Sequence, residues 1–460
     1  MNERQKRILS GSILPTLLGL SGPTIVVLLV QTGVGVAETY FVSNLGTDAL
    51  AGVALVFPAL MLMQMMSNGG IGGGVSSAVA RALGGGRRND ADSLVWHAIV
   101  SGAAFGAVFT AAEWLGGRWL FHIMGGNGDV LAAALGYGNV VFAGSILIWL
   151  TSLLAAALRG AGNVLVPAAV TLTGAIIVIP LSPALIFGWG PLPRMGVAGA
   201  GTAVICYYVV ATATLLLYLR SRNSPLKLRI AAIEWRLLRD ILKVGGLSSL
   251  STVQINLTVA IVTGMVGRVG TDAVAGYGIA SRLDYLLIPL GFGIGTGALT
   301  MVGINVGAGN FERARRIGWI AGLFGAGVME AIGVAAATAP HAWLGMFTSD
   351  PNVLATGTLY FHIVAPFYGL IGLGMLLYFA GQGAGQVFWP VIAGTARLAI
   401  AGVGGWIIVA RLGLGLPTLF VAVACAAVAY GGGTAVAMLL GPWRAAPSPA
   451  PIAKAERVSA

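Results

Sequence analysis

Glu38 carries the clearest chemical potential in this chain. It lies in the segment PTIVVLLVQTGVGVAETYFVSNLGTDALAG, Pro23 to Gly52, toward the end of an apolar run from Ile13 to about Phe41. That run is long enough to cross a bilayer. A carboxylate within it costs roughly 3 kcal/mol near the bilayer centre and less toward the surface, so Glu38 is expected to face protein or water rather than lipid. Gln31 lies seven residues earlier, two turns back on nearly the same face and ~10 Å away. Pro23 removes a backbone donor a further turn or two down, so a kink in that half of the helix is expected. Burial also lets a carboxyl hold a proton at neutral pH and release it to a wetter side. A bent helix bearing such a group is a candidate moving part.

Three other acids fall within apolar runs: Glu113, Asp284 and Glu330. Glu113 and Glu330 read as two-fold related residues near the ends of their spans. Asp284 stands two residues from Arg282, too close to share a helix face, and is expected either to pair with a cation on a neighbouring helix or to take part in transport. Histidines 97, 122, 341 and 362 show no ligand spacing, so no metal site is expected. Cys206 and Cys425 lie in apolar stretches and read as small packing residues rather than a redox pair. The clusters at Gly69 to Gly74 and Gly291 to Gly297 lack the strand and lysine of a phosphate loop. Close helix packing explains them better.

The elements that must position these residues are transmembrane helices. The chain is 57% hydrophobic and 9% charged, against about 25% charged in a soluble domain. Twelve apolar runs of spanning length are legible, the second from Ala49 to Ser67. The net charge of +11 is topogenic rather than a nucleic-acid footprint. With a cytoplasmic N-terminus, twenty lysines and arginines fall on inner segments and four on outer ones. That bias places both termini inside, in a multi-pass plasma (inner) membrane protein, and no cleavable signal is read.

The sequence repeats at about half its length. GTDALAG at Gly46 returns as GTDAVAG at Gly270, LGGGRRNDA at Leu83 as VGAGNFERA at Val306, and RGAGNVLVP at Arg159 as QGAGQVFWP at Gln382. The offsets are 224, 223 and 223. The expected fold is therefore an all-α integral membrane protein of twelve transmembrane helices in two repeated six-helix bundles. Residues 1–222 form the first lobe, 223–240 a cytoplasmic linker with a short amphipathic piece, 241–441 the second lobe and 442–460 a disordered tail. Even span numbers give both copies the same topology, with a midplane cavity between them.

Taken together, Glu38-Thr39 with GTDALAG, the VARALGGGRRNDA loop, RGAGN before Pro167, GVAGAGTA at Gly196 and their second-half partners resemble the multidrug and toxic compound extrusion (MATE) family. The resemblance covers about Leu14 to Leu440. It implies a two-lobed secondary antiporter that expels cationic, amphipathic compounds in exchange for H+ or Na+. The family's first-helix acid falls on Glu38, one methylene longer than the usual aspartate, its bending proline on Pro23, and a polar lining residue on Gln31. A fourth-helix tyrosine falls on Tyr137. The second aspartate of the first lobe is replaced by about Ser182, within IIVIPLSP. The seventh-helix glutamate of one branch appears as Gln254, beside Asn256, and the second lobe's carboxylate would be Asp284. Gln31, Ser182 and Thr202 could supply oxygens to a coupling ion, with protons favoured over sodium. Tyr137, Phe142, Trp149, Tyr285 and Tyr378 could hold a flat cationic substrate, with Asp284, Gln254 and Asn256 as further substrate contacts.

A related two-lobed flippase of lipid-linked oligosaccharides is the alternative, though only Arg282 and Arg397 lie within spans to hold a pyrophosphate. An enzyme would need a nucleophile and base or a metal triad, and no such motif is legible. No cofactor is expected beyond the coupling ion, and the partners expected are small cationic molecules and membrane lipid, without nucleic acid, for a monomer.

Overall fold

The computed structural model describes residues 3–441; the expected disordered tail, 442–460, lies outside them. After a short amphipathic helix, Glu3–Ser10, the first half carries α1 (Ile13–Ser43), α2 (Thr47–Gly84), α3 (Arg88–Ile123), α4, α5 (Leu165–Phe187) and α6 (Val197–Arg220). The second half carries α7 (Trp235–Gly267), α8 (Thr271–Gly307), α9 (Phe311–Thr338), α10 (Pro351–Ala384), α11 (Phe388–Arg411) and α12 (Leu416–Leu440). Here α4 is a bent pair, Gly128–Ala143 and Ser145–Gly160, turning 48° at Gly144. Long apolar sequence makes these helices, because a backbone in lipid must satisfy its polar groups internally.

Several boundaries differ from the sequence reading. The second span runs on to Gly84 through a π-type turn at Met66–Ile71, since alanine and small residues continue the helix past the apolar run. The linker has no helix before Trp235, so the expected amphipathic piece is irregular chain with turns there. Instead, it is strapped to the start of α3. Arg88 donates to the Pro225 carbonyl at 2.8 Å, Asp92 accepts from the Lys227 amide at 2.8 Å, and His97 Nε2 accepts from the Glu234 amide at 2.9 Å. Leu226 is fully buried in the core of the first half.

The repeat is visible in three dimensions. Gly162 and Gly385, equivalent in the 223-residue offset, both turn the chain after a span with φ of 77° and 75°, a left-handed conformation open chiefly to glycine. The halves meet through α1 against α8 and α2 against α7, with α2 and α8 packed together at the centre. Several contacts across this interface come in symmetric pairs. Ser77 on α2 donates to the Gln382 carbonyl on α10, while its equivalent Thr300 on α8 donates to the Arg159 carbonyl on α4 at 3.0 Å. A Cβ added to Gly84 would strike the Ile304 carbonyl, and one added to its equivalent Gly307 would strike the Arg81 carbonyl. The two glycine clusters likewise abut the opposite half, Gly70 at Ser249 and Gly293 at Ile25. Small residues here let backbones approach closely.

Arg81 makes interface contacts that the repeat does not reproduce. Arg81 on α2 reaches Asp240 on α7 at 2.7 Å and the Gly383 carbonyl on α10 at 3.2 Å; its equivalent in the repeat is Ile304. All these contacts occupy the linker-side portions of the spans. Glu38 lies toward the opposite end.

Candidate functional site

Glu38 sits near the far end of α1, which runs as one helix through Pro23. Its side chain is half-buried, and its Oε1 is enclosed with no hydrogen-bond donor among the described residues. Tyr137 on α4 and Tyr208 on α6 lie within electrostatic range of the carboxylate. The Tyr208 ring lies tilted beside that of Tyr207, 4.7 Å between centroids, and Tyr207 in turn packs on Gly174 of α5. The enclosed oxygen of Glu38 therefore faces protein, with tyrosines of α4 and α6 within electrostatic range. An enclosed carboxylate oxygen without a donor is costly as an anion unless a proton or a cation joins it. The geometry thus suits a site whose occupancy changes.

The other expected coupling residues are not drawn to it by hydrogen bonds. Ser182 is fully buried on α5, between Pro180 and Pro183, with its hydroxyl unpartnered. Thr202 donates to Ala198 on its own helix at 2.8 Å. Gln31 is exposed and makes no hydrogen bond among the described residues. Tyr208 was not legible as a site residue, because nothing in the sequence aligns it with Glu38, 170 positions away.

The second half holds a different carboxylate. Asp284 on α8 accepts from Tyr360 on α10 at 2.6 Å and from the Tyr368 hydroxyl on the same helix. No ion pair forms there among the described residues, which corrects the cation partner expected for it. Arg397 on α11 remains in electrostatic range but lies over the Tyr430 ring at 5.5 Å, and Arg282 lies over Phe347 at 5.8 Å. Tyr277, Tyr360 and Phe420 close an aromatic cluster beside Asp284. Two hydroxyl donors compensate much of the desolvation that Glu38 bears alone.

Gln254 and Asn256 diverge, as residues two apart on a helix must. Gln254 turns into the second half and donates to Thr395 at 2.8 Å. Asn256 is exposed and turns toward Met65 of α2, 3.5 Å away across the interface. Of the aromatic candidates, Phe142 and Trp149 are core residues, Trp149 stacking on Phe105 at 5.0 Å, and so are closed to a substrate in this conformation. Tyr285 is exposed, and Tyr378 packs beside Val244 and Val391 in the second half.

Glu113 and Glu330 require correction too. In the repeat they are 217 apart rather than 223, so they are not two-fold related. Neither sits at a helix end. Glu113 is buried where α3 meets Gly138 of α4, and Glu330 accepts from the Gly369 amide of α10 at 2.7 Å. Cys206 and Cys425 are exposed on their helices rather than packed inside; apolar surroundings in the sequence could not distinguish a lipid-facing side from a core-facing one. Among the described residues no three of His, Cys, Asp and Glu converge as a metal site.

The family model MatE matches residues 23–184 and 248–408, one stretch in each half. The chain belongs to the MatE family. Proteins similar to it include a FAD transporter of Shewanella oneidensis, 27% identical over 80% of this chain and 81% of that one. A probable multidrug resistance protein NorM of Thermotoga maritima is 28% identical over 80% of each chain. Solved MATE structures share the fold: one in the bent conformation has a TM-score of 0.86 at 24% identity, covering 95% of this chain and 96% of that one. An outward-facing multidrug resistance MATE transporter of the MOP superfamily has a TM-score of 0.85 at 24% identity, covering 95% and 98%. This MatE protein is a multi-pass membrane protein with the twelve-span fold of that family.

Proposed function

We propose that this chain is a secondary active multidrug efflux antiporter of the inner membrane, with both termini cytoplasmic, exporting cationic amphipathic compounds in exchange for H+. The observation that carries the coupling role is Glu38, whose enclosed Oε1 lacks a donor while tyrosines of two other helices lie only within electrostatic range. Protonation removes an uncompensated charge there, and so favours arrangements of α1 that an anion would resist. The interface supports alternating access: contacts between halves concentrate on the linker side, where Arg81 bridges to Asp240. Release of those contacts, with closure at the far end, would carry a substrate across. Coupling requires only that proton and substrate favour different states. Na+ in place of H+ would need several oxygens around Glu38, and Gln31, Ser182 and Thr202 make no hydrogen bond to it here.

A relative named as a FAD transporter favours a second reading, export of an anionic flavin nucleotide, for which Arg282 and Arg397 in the second half would serve as counter-charges. Both readings are tested with inverted vesicles, following uptake of a fluorescent cation and of FAD while the pH and sodium gradients are collapsed separately. Cation transport that survives loss of both gradients would overturn the antiport reading, and transport of FAD alone would select the second.

A further inference from the structure

A cavity of about 320 Å³ opens at the linker-side end of the second half, between the start of α7, the turn joining α10 to α11, and the end of α12. Its floor is apolar, formed by Leu247, Leu377 and Met438, and Lys243 stands at its edge. Phe388 and Trp389 line it while remaining 54% and 57% exposed. Lys243 forms no ion pair among the described residues.

The equivalent place in the first half is closed. There Asn163, which Gln386 replaces in the repeat, donates to the Tyr218 hydroxyl at 2.9 Å, and Tyr218 donates to the Asn223 carbonyl at 3.2 Å. The linker then buries Leu226 fully. Among the described residues no segment of the second half does the same, and the cavity there is lined mainly by apolar side chains, with Gln386 and Thr434 polar and Lys243 its one cation.

We propose that this cavity binds an anionic phospholipid, with the phosphate headgroup at Lys243, the interfacial rings of Phe388 and Trp389 beside it, and the start of an acyl chain over Leu247 and Met438. A basic pocket between spans at the positively charged end of a membrane protein has the charge to select such a headgroup. Half-exposed Trp and Phe at a span terminus suit the headgroup level. The apolar floor would otherwise contact water or a neutral lipid without discrimination. The inference rests on the membrane fold alone, so it stands or falls independently of the efflux reading.

The test uses the full chain in detergent micelles carrying phosphatidylglycerol or phosphatidylcholine. Phosphatidylglycerol should be retained about fivefold better, the worth of one basic side chain beside an anionic headgroup. It should also raise the thermal midpoint above that seen with phosphatidylcholine. Lys243→Gln should abolish the preference and Lys243→Arg should keep it. As a second measurement, phosphatidylglycerol brominated on its acyl chains should quench tryptophan emission more than the brominated phosphatidylcholine, and Trp389→Phe should remove that difference. Equal retention and equal quenching by the two lipids would overturn the proposal, as would a preference that survives Lys243→Gln. The same midpoint rise from inorganic phosphate alone would also overturn it. Because Gly441 borders the cavity, a chain ending there is the remaining arm. If the lipid preference emerges only in that shortened chain, the protein's own residues 442–460 occupy the cavity and the lipid assignment fails.

Discussion

The guanidinium of Arg81 lies 2.7 Å from the carboxylate of Asp240, joining the second span of one half to the first span of the other. Arg81 is nearly buried, and the same side chain reaches Ser77 and the Gly383 carbonyl. The bridge therefore ties three spans at the linker end. Asp240 is nearly half exposed, so solvent screens the pair, and its worth is about 1 kcal/mol, or about fivefold in a two-state population. Asp240→Asn should raise the linker-side-open population by that factor, and Arg81→Asp with Asp240→Arg should restore much of it. Spin labels at Asn89 and Arg315, in a chain with Cys206 and Cys425 replaced by Ser, would report the separation of the halves. An unchanged distance distribution in Asp240→Asn would show that the bridge does not hold the interface.

Glu38→Gln keeps the size and removes the titratable group. Allosteric coupling free energies of ordinary size correspond to about 5- to 150-fold effects, so gradient-driven efflux should fall by a factor in that range. Its dependence on external pH should flatten at the same time, while substrate binding measured without a gradient should persist. Efflux by Glu38→Gln that matches the wild type at equal expression, with the same pH profile, would remove Glu38 from the coupling role.

Much of the fold was legible in the sequence, since hydrophobic runs of bilayer length and a repeat at offsets of 223 and 224 define spans and their pairing. Glu38 was legible for the same reason, as an acid where acids are costly. What could not be read was which side of each helix faces inward. In a chain apolar on all faces, periodicity carries no burial signal, so Cys206 and Cys425 read as packed although they are exposed. Partners distant in sequence were equally hidden. Asp240 lies 159 positions from Arg81, and the tyrosines at Asp284 lie 76 and 84 positions from it.

Those tyrosines make a stability prediction. Each hydroxyl supplies a hydrogen bond to a carboxylate in the protein interior, and such bonds contribute about 1.5–3 kcal/mol. Tyr360→Phe and Tyr368→Phe should each lower the thermal midpoint by several degrees. Asp284→Asn should cost less, because the amide oxygen still accepts, whereas Asp284→Leu should cost more by leaving two buried hydroxyls unpaired. Thermal unfolding followed by tryptophan emission would rank the four. Indistinguishable midpoints for Asp284→Asn and Asp284→Leu would mean that the hydroxyls find other partners and that the cluster is not organised by Asp284.

The glycines of the central interface make the last prediction. At Gly84 an added methyl would meet the Ile304 carbonyl of α8, and at Gly307 it would meet the Arg81 carbonyl of α2. The obstacle is backbone in both cases, so rotamer changes cannot relieve it and the two helices must separate. Gly84→Ala should therefore bias the protein toward linker-side separation. That bias would appear as longer distances between labels at Asn89 and Arg315, with reduced transport because closure on that side is part of the cycle. Gly327 on α9 supplies the control, since nothing lies within 4 Å of a Cβ placed there. Ala at that site should leave transport unchanged and stabilise the helix by up to about 1 kcal/mol. If Gly84→Ala behaves like Gly327→Ala in both measurements, the close approach of α2 and α8 is not a constraint on the transport cycle.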